Sequence, residues 1–171
     1  MTTPHRITAI WPGATVAVLA SGPSLTQDRV ARLRRQATHV IAVNEAIRLA
    51  PWADMLVALD GNWPEAYRAF AGIRITGVAD DSLNALYIGP RFETIRLAAG
   101  HQIEVANSGL TAVRLAADLG AARVLLAGFD WPAQTGHFYD DVVDAYPGNV
   151  EGLAAIVADL RSRGVVVEVP A

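Results

Sequence analysis

The chain has 171 residues, of which 52% are hydrophobic and 18% are charged, and its net charge is -3. This composition predicts one globular domain over residues 1–171 and excludes a disordered chain. Cysteine and lysine are both absent, which excludes disulfides, thiolate metal sites and any chemistry that needs a lysine of this chain. The scattered arginines indicate neither nucleic acid nor a membrane as a partner. Without an apolar run long enough to span a bilayer, we expect a cytoplasmic location.

The first half of the chain alternates between apolar strand patterns and helical patterns. Strands are predicted over 15–20, 39–43, 55–59 and 73–78, with a helix after the first strand and another over 62–71. Ser24 with Gln27 three residues later fits a capping box, which places the start of the first helix at the loop itself. The segment 80–106 is predicted to be an irregular insert or a reduced lid, with short strands around Leu86 and Ile103.

The second half returns to a regular alternation. A helix begins at Asn107 or Ser108 and ends at Gly120, and strand 123–127 follows it. A polar loop then leads to a helix over 150–163 and a final strand over 165–169. Such alternation is typical of βαβ units, so the fold class is α/β: one Rossmann-like, doubly wound, mainly parallel sheet with helices on both faces.

Polar residues follow several of the predicted strands at the point where each strand ends. They are Ser21, Ser24, Asn44, Asp60 and Asp130. In an open parallel sheet, ligands bind outside the carboxyl ends of the strands, so these residues are expected along one edge. Turns after strands favour the same residue types, and a structural role for each one therefore stays open.

The loop Ser21-Gly22-Pro23-Ser24 is the most specific of these segments. Its glycine permits a ligand to approach the backbone, and the helix that follows offers free N–H groups and the positive end of its dipole. Phosphate is the natural occupant of such a loop. The alternative is a tight turn whose Ser24 only caps the helix.

Two further segments are candidates for the same site. Ser108 and Gly109 open a second helix and offer an anion or ribose contact, or else belong to an ordinary helix start. His137 lies in the polar loop beside Asp140 and Asp141, and histidine is the side chain that titrates near neutrality. The aspartates have the oxygen ligands that Mg²⁺ prefers, although a solvated acidic surface explains them equally well.

Four motifs in fixed order resemble those of two related families. They read V-L-A-S-G-P-S-L, A-V-N-E-A, N-S-G-L and V-L-L-A-G-F-D-W, from about Val16 to the final strand. One family is the bacterial sialyltransferases of glycosyltransferase family 42. The other is the domain family that includes the archaeal 6-hydroxymethylpterin pyrophosphokinase and many bacterial and phage proteins. Ala20-Ser21 stand where the sialyltransferase loop has Gly-Asn, which weakens the case for cytidine recognition and moves the chain toward the second family.

The resemblance to the sialyltransferases implies roles for individual residues. Nucleotide contacts would fall to Ser21, Gly22, Pro23, Ser24, Asn44, Ser108 and Gly109. His137 stands where that family has its catalytic histidine, and Tyr139 and Tyr146 are the candidates for its phosphate-binding tyrosines.

The leading functional hypothesis is a transferase that uses a nucleotide-activated donor, above all a glycosyltransferase that takes a nucleotide sugar as substrate. The first alternative is a pyrophosphokinase-like phosphotransferase that uses ATP, and only there would Mg²⁺ enter, held by Asp60 and Asp130. The second alternative is a non-enzymatic module that binds a nucleotide or a sugar. The expected partner is the small-molecule donor, while the acceptor and the oligomeric state, a homo-oligomer included, stay open.

Overall fold

The computed structural model describes residues 7–89, 93–96, 102–105, 107–130 and 149–170. The strands are β1 (Thr15–Leu19), β2 (His39–Val43), β3 (Met55–Val57), β4 (Ile73–Thr76), β5 (Leu86–Tyr87), β6 (Glu93–Arg96), β7 (Gln102–Val105), β8 (Arg123–Ala127) and β9 (Val166–Glu168). The helices are α1 (Gln27–Gln36), α2 (Glu65–Arg68), α3 (Ser108–Asp118) and α4 (Asn149–Ser162), and short 3₁₀ helices cover Asn44–Arg48 and Asp81–Leu83.

The main sheet of the described chain has seven strands in the order β5-β4-β3-β2-β1-β8-β9, and every neighbouring pair is parallel. The predicted α/β class with a Rossmann-like parallel sheet is therefore confirmed. The strands predicted around Leu86 and Ile103 are also present, the first as β5 at one edge of the sheet. The second is β7, which pairs antiparallel with β6 in a separate two-stranded sheet.

Helices cover both faces of the sheet because alternate strand residues point to opposite sides. Ala17 and Leu19 of β1 belong to the core that includes Val30 of α1 and Tyr67 of α2. Val16 and its neighbours on the other side of the sheet form a second core with residues of α3 and α4. The doubly wound arrangement follows from strands that are apolar on both faces.

Several predicted elements are shorter in the structure, the strand 55–59 among them, and two of them show a local reason. The predicted helix 62–71 is reduced to Glu65–Arg68, and its start is set by Pro64, which is extended and serves as its N-cap. The predicted strand 73–78 ends at Thr76, whose hydroxyl accepts a hydrogen bond of 3.1 Å from the N–H of Val78 and so forms a turn.

Helix α3 crosses the sheet and directs its N-terminus to the carboxyl ends of the strands. It packs against β1, β2, β3 and β8, and its small residues allow this close approach. Asn107 caps the helix, since its Oδ1 accepts from the N–H groups of Gly109 (2.8 Å) and Leu110 (3.1 Å). None of the helices in the described segments has the length and hydrophobicity to span a membrane.

Candidate functional site

The carboxyl edge of the sheet contains the point at which the strand order reverses. β2 and β3 lie on one side of β1, whereas β8 and β9 lie on the other. Helix α1, which follows β1, packs on one face, and α4 packs on the opposite face. Open parallel sheets bind ligands in the crevice at such a switch point. The candidate site is therefore centred on the loops that follow β1 and β8.

Hydrogen bonds continue the β1–β8 ladder beyond the two strands. The N–H of Ala20 donates to the carbonyl of Ala127 (2.8 Å), and the N–H of Gly22 donates to the carbonyl of Gly128 (3.0 Å). The next step ends on a side chain, because the N–H of Ser24 donates to Oδ2 of Asp130 at 2.8 Å. The sequence placed these residues on one edge, and the structure shows Ser24 and Asp130 in direct contact.

Gly22 is needed at its position for a reason that differs from the sequence-based one. A Cβ built on it would lie closer than 3.0 Å to Oδ2 of Asp130 and to the carbonyl oxygen of Gly128. The space that its missing side chain leaves is filled by this protein's own atoms. Gly22 therefore permits two loops to pack together.

Ser24 does not cap helix α1, which corrects the predicted capping box. The helix begins at Gln27, and its N-cap is Thr26, whose Oγ1 accepts from the N–H of Arg29 at 3.2 Å. Ser24 instead accepts, through its Oγ, a hydrogen bond of 2.7 Å from Nη1 of Arg29. Pro23 lies between Gly22 and Ser24, in the turn that leads to this contact. The loop is thus longer than predicted, and an arginine side chain contacts it.

Arg29 is a partly buried cation whose described partners are all uncharged. Its Nη2 donates to the carbonyl of Pro170 at 2.6 Å, just after β9. Its Nε is buried and has no acceptor among the described residues, and no described carboxylate forms an ion pair with it. Sequence reasoning missed this residue. The available signal was its position in the first turn of α1. A cation there interacts unfavourably with the positive end of the helix dipole, so a function for it is to be expected.

Ser21 and Asn44 lie on the other side of the β1 loop. The buried hydroxyl of Ser21 donates to the carbonyl of Val43 at 3.2 Å, which ties the end of β1 to the end of β2. The next residue, Asn44, has a left-handed backbone with φ 49°, a conformation that asparagine tolerates better than most residues. Its side-chain amide makes no hydrogen bond to the described residues, so its donors and acceptor are available to a ligand.

Ser108, Gly109 and Asp60 are brought together at the end of β3. Oγ of Ser108 accepts from the N–H of Leu59 at 3.2 Å, and this contact fixes the start of α3 beside the loop that holds Asp60. A Cβ on Gly109 would lie 3.2 Å from the ring of Phe129, so this glycine serves helix packing. Asp60 is exposed, and its carboxylate has no hydrogen-bond partner in the described part of the chain.

The remaining predicted site residues lie outside the described residues. These are His137 and Tyr139, together with Tyr146, Asp140 and Asp141. Within the described segments, no three or more His, Cys, Asp or Glu residues form a group that could hold a metal ion. Among the described residues at this edge, the amide of Asn44 and the carboxylate of Asp60 have no hydrogen-bond partner, and Arg29 forms no ion pair with a described carboxylate.

No protein-family model matches the chain, and no curated protein matches it. The resemblance to sialyltransferases and pyrophosphokinases therefore stays a prediction, and the chemistry of the site rests on the geometry described above.

Proposed function

We propose that the chain binds a nucleotide-activated donor at the carboxyl edge of its sheet and transfers a glycosyl group from a nucleotide sugar. One observation carries the proposal: the partly buried Arg29 lies beside the topological switch point between β1 and β8, and it forms no ion pair with a described carboxylate. A buried cation is costly unless it is paired, and a ligand phosphate supplies the missing charge.

Asn44 and Asp60, at the ends of β2 and β3, suit the other parts of a nucleotide. The free amide of Asn44 can both donate to and accept from a base or a ribose. The carboxylate of Asp60 accepts hydrogen bonds only, which fits a sugar hydroxyl. His137 is proposed as the general base that removes the proton of the acceptor hydroxyl, in the role that the sialyltransferase resemblance implies.

A second candidate is the phosphotransferase that uses ATP and Mg²⁺. Asp130 favours it, because Oδ1 of this carboxylate has no described partner at the switch point. Mg²⁺ is commonly bound by one or two carboxylates together with substrate phosphates, so Asp130 fits the ion as a single protein carboxylate beside those phosphates. Asp60 follows β3, which is three strands away from β8 in the sheet. When bound, the ion would neutralise charge on the phosphates. A requirement of turnover for Mg²⁺ separates this candidate from a metal-independent glycosyltransferase.

Binding to a panel of nucleotides tests the proposal. Thermal unfolding is measured with CMP, UMP, GMP and AMP and with their sugar-linked and triphosphate forms. A ligand at one hundred times its dissociation constant stabilises the folded state by about 2.7 kcal/mol, which gives a clear rise in Tm. We expect at least one compound of the panel to do so. No stabilisation by any compound would contradict the proposal.

The role of Arg29 is tested against a matched arginine on the same helix. Arg29→Gln removes the cation that contacts the loop, whereas Arg32→Gln removes an exposed cation of α1. Charged hydrogen bonds contribute about 1.5–3 kcal/mol, so we expect Arg29→Gln to weaken nucleotide binding by roughly 10- to 100-fold. Arg32→Gln should leave it within about twofold, since an exposed charge is screened by salt. Equal losses in the two variants would show that only net charge matters.

A further inference from the structure

Asp130 occupies the position in the β1 loop that an anionic ligand would take. Its Oδ2 accepts a hydrogen bond of 2.8 Å from the N–H of Ser24, and its carboxylate lies where a Cβ on Gly22 would be. Two further loop donors are also used, because Gly22 donates to Gly128 and Leu25 donates to the carbonyl of Gly22. The loop of this protein is therefore already bound to an anion that belongs to the fold.

We propose that Asp130 is a specificity-determining residue, which excludes free phosphate from the β1 loop and selects an uncharged hydroxyl group there. Two unit charges about 4 Å apart near a protein surface repel by an amount equivalent to about a thousandfold in binding. Asp130 is partly exposed, so solvent and salt reduce this factor. A hydroxyl has no charge to repel, and it can donate a hydrogen bond to Oδ1 of Asp130, which has no partner among the described residues.

The proposal assigns the parts of the ligand to opposite sides of Ser24. The side chain of Arg29 contacts the hydroxyl of Ser24, whereas Asp130 contacts its N–H. A ligand phosphate is attracted to Arg29, and a sugar hydroxyl to Asp130. This assignment rests on the proposed function, because it concerns the ligand held at the same edge, but its test uses probes other than a nucleotide.

The first experiment measures the binding of inorganic phosphate to wild type, Asp130→Asn and Asp28→Asn. Asparagine has the size of aspartate and still accepts the N–H of Ser24, so the loop geometry is kept while the charge is removed. Asp28 is an exposed carboxylate in the first turn of α1 that has no hydrogen bond to the loop. Its substitution changes net charge equally. Binding is followed through the amide resonance of Ser24 and by calorimetry, after the folded state of each variant has been checked.

We expect Asp130→Asn to bind phosphate at least about tenfold more tightly than wild type, and Asp28→Asn to change binding by less than about threefold. Equal gains in both variants, or no gain in Asp130→Asn, would overturn the proposal. If Asp130→Asn does not fold, Asp130→Ser provides a second neutral substitution, with the same expected gain and the same contradicting result.

The second experiment tests the hydroxyl preference with a methyl riboside and its dideoxy analogue. In wild type, the amide resonance of Ser24 should shift when the riboside is added and should not shift with the dideoxy analogue. Asp130→Asn should weaken riboside binding by about tenfold. No response to the riboside, or tighter binding by the variant, would overturn this part. If phosphate binding rises in Asp130→Asn while no nucleotide binds wild type, the proposed function fails alone. If nucleotides bind wild type and phosphate binding does not rise, this inference fails alone.

Discussion

Replacing Gly22 by alanine should break the contact between the loops that follow β1 and β8. The added Cβ would lie closer than 3.0 Å to Oδ2 of Asp130 and to the carbonyl oxygen of Gly128, a distance that real Cβ atoms do not adopt. The carbonyl belongs to the backbone, so it cannot move by a change of rotamer. One or both loops must therefore shift.

The cost follows from the hydrogen bonds that such a shift breaks. An amide–carbonyl bond contributes about 1 kcal/mol and a bond to a charged carboxylate about 1.5–3 kcal/mol. Gly22→Ala breaks one of each, so the free energy of unfolding should fall by about 2 to 4 kcal/mol. In an Asp130→Ala background the charged bond is already gone, so the same substitution should cost about 1 to 2 kcal/mol.

Urea unfolding of the four proteins in this cycle measures these differences, with Gly61→Ala as a control. Gly61 lies at the same edge of the sheet, but its Cβ would meet Val78 at 3.4 Å, an ordinary contact. Gly61→Ala should leave the free energy of unfolding unchanged or raise it by up to about 1 kcal/mol. If the free energy of unfolding of Gly22→Ala lies within about 0.5 kcal/mol of the wild-type value, the two loops are not packed as described.

Three further predictions concern a helix cap, a titration and catalysis. Thr26→Ala should lower the free energy of unfolding by about 1 kcal/mol in urea melts, because Thr26 is the N-cap of α1; an unchanged free energy of unfolding would contradict this assignment. The pKa of Asp80 lies below its usual value because the Ser82 side chain and then its backbone N–H donate to the carboxylate. The ionised Asp80 carboxylate therefore stabilises the folded state above the pKa of the unfolded chain, about 3.9. This stabilisation is lost as pH falls through the lower pKa of the folded state. Asp80→Asn should remove this part of the acid dependence in urea melts at different pH, and an unchanged profile would contradict it. His137→Ala should lower turnover by roughly 10²–10⁴-fold with nucleotide binding retained, and an unchanged rate would end the proposed role as general base.

The sequence predicts the fold well where hydrophobicity alone decides it. Strands β2 and β8 begin and end as predicted, because runs that are apolar on both faces suit only a central parallel strand. Helix α2 and strand β4 are shorter than predicted, since single residues, Pro64 and Thr76, end these elements through local hydrogen bonding and backbone restriction. Hydrophobic periodicity does not detect such local effects.

The candidate site is predicted less completely, because its contacts join distant parts of the chain. Ser24 and Asp130 were both identified as candidates, but the hydrogen bond between them spans 106 residues. The contact of Arg29 with Pro170 spans 141 residues, and no local pattern indicates it. Strand ends identify which residues share an edge, whereas side-chain packing determines which of them stay free for a ligand.

The most direct test of the central claim is to map nucleotide binding onto the backbone by NMR. Amide resonances are recorded for wild type with the nucleotide that stabilises it most. The largest shifts are expected on residues 20–22, 24, 44, 60, 107–109 and 128–130, at the carboxyl ends of the strands. Shifts confined to the amino ends of the strands, such as those near Thr15 and His39, would contradict it.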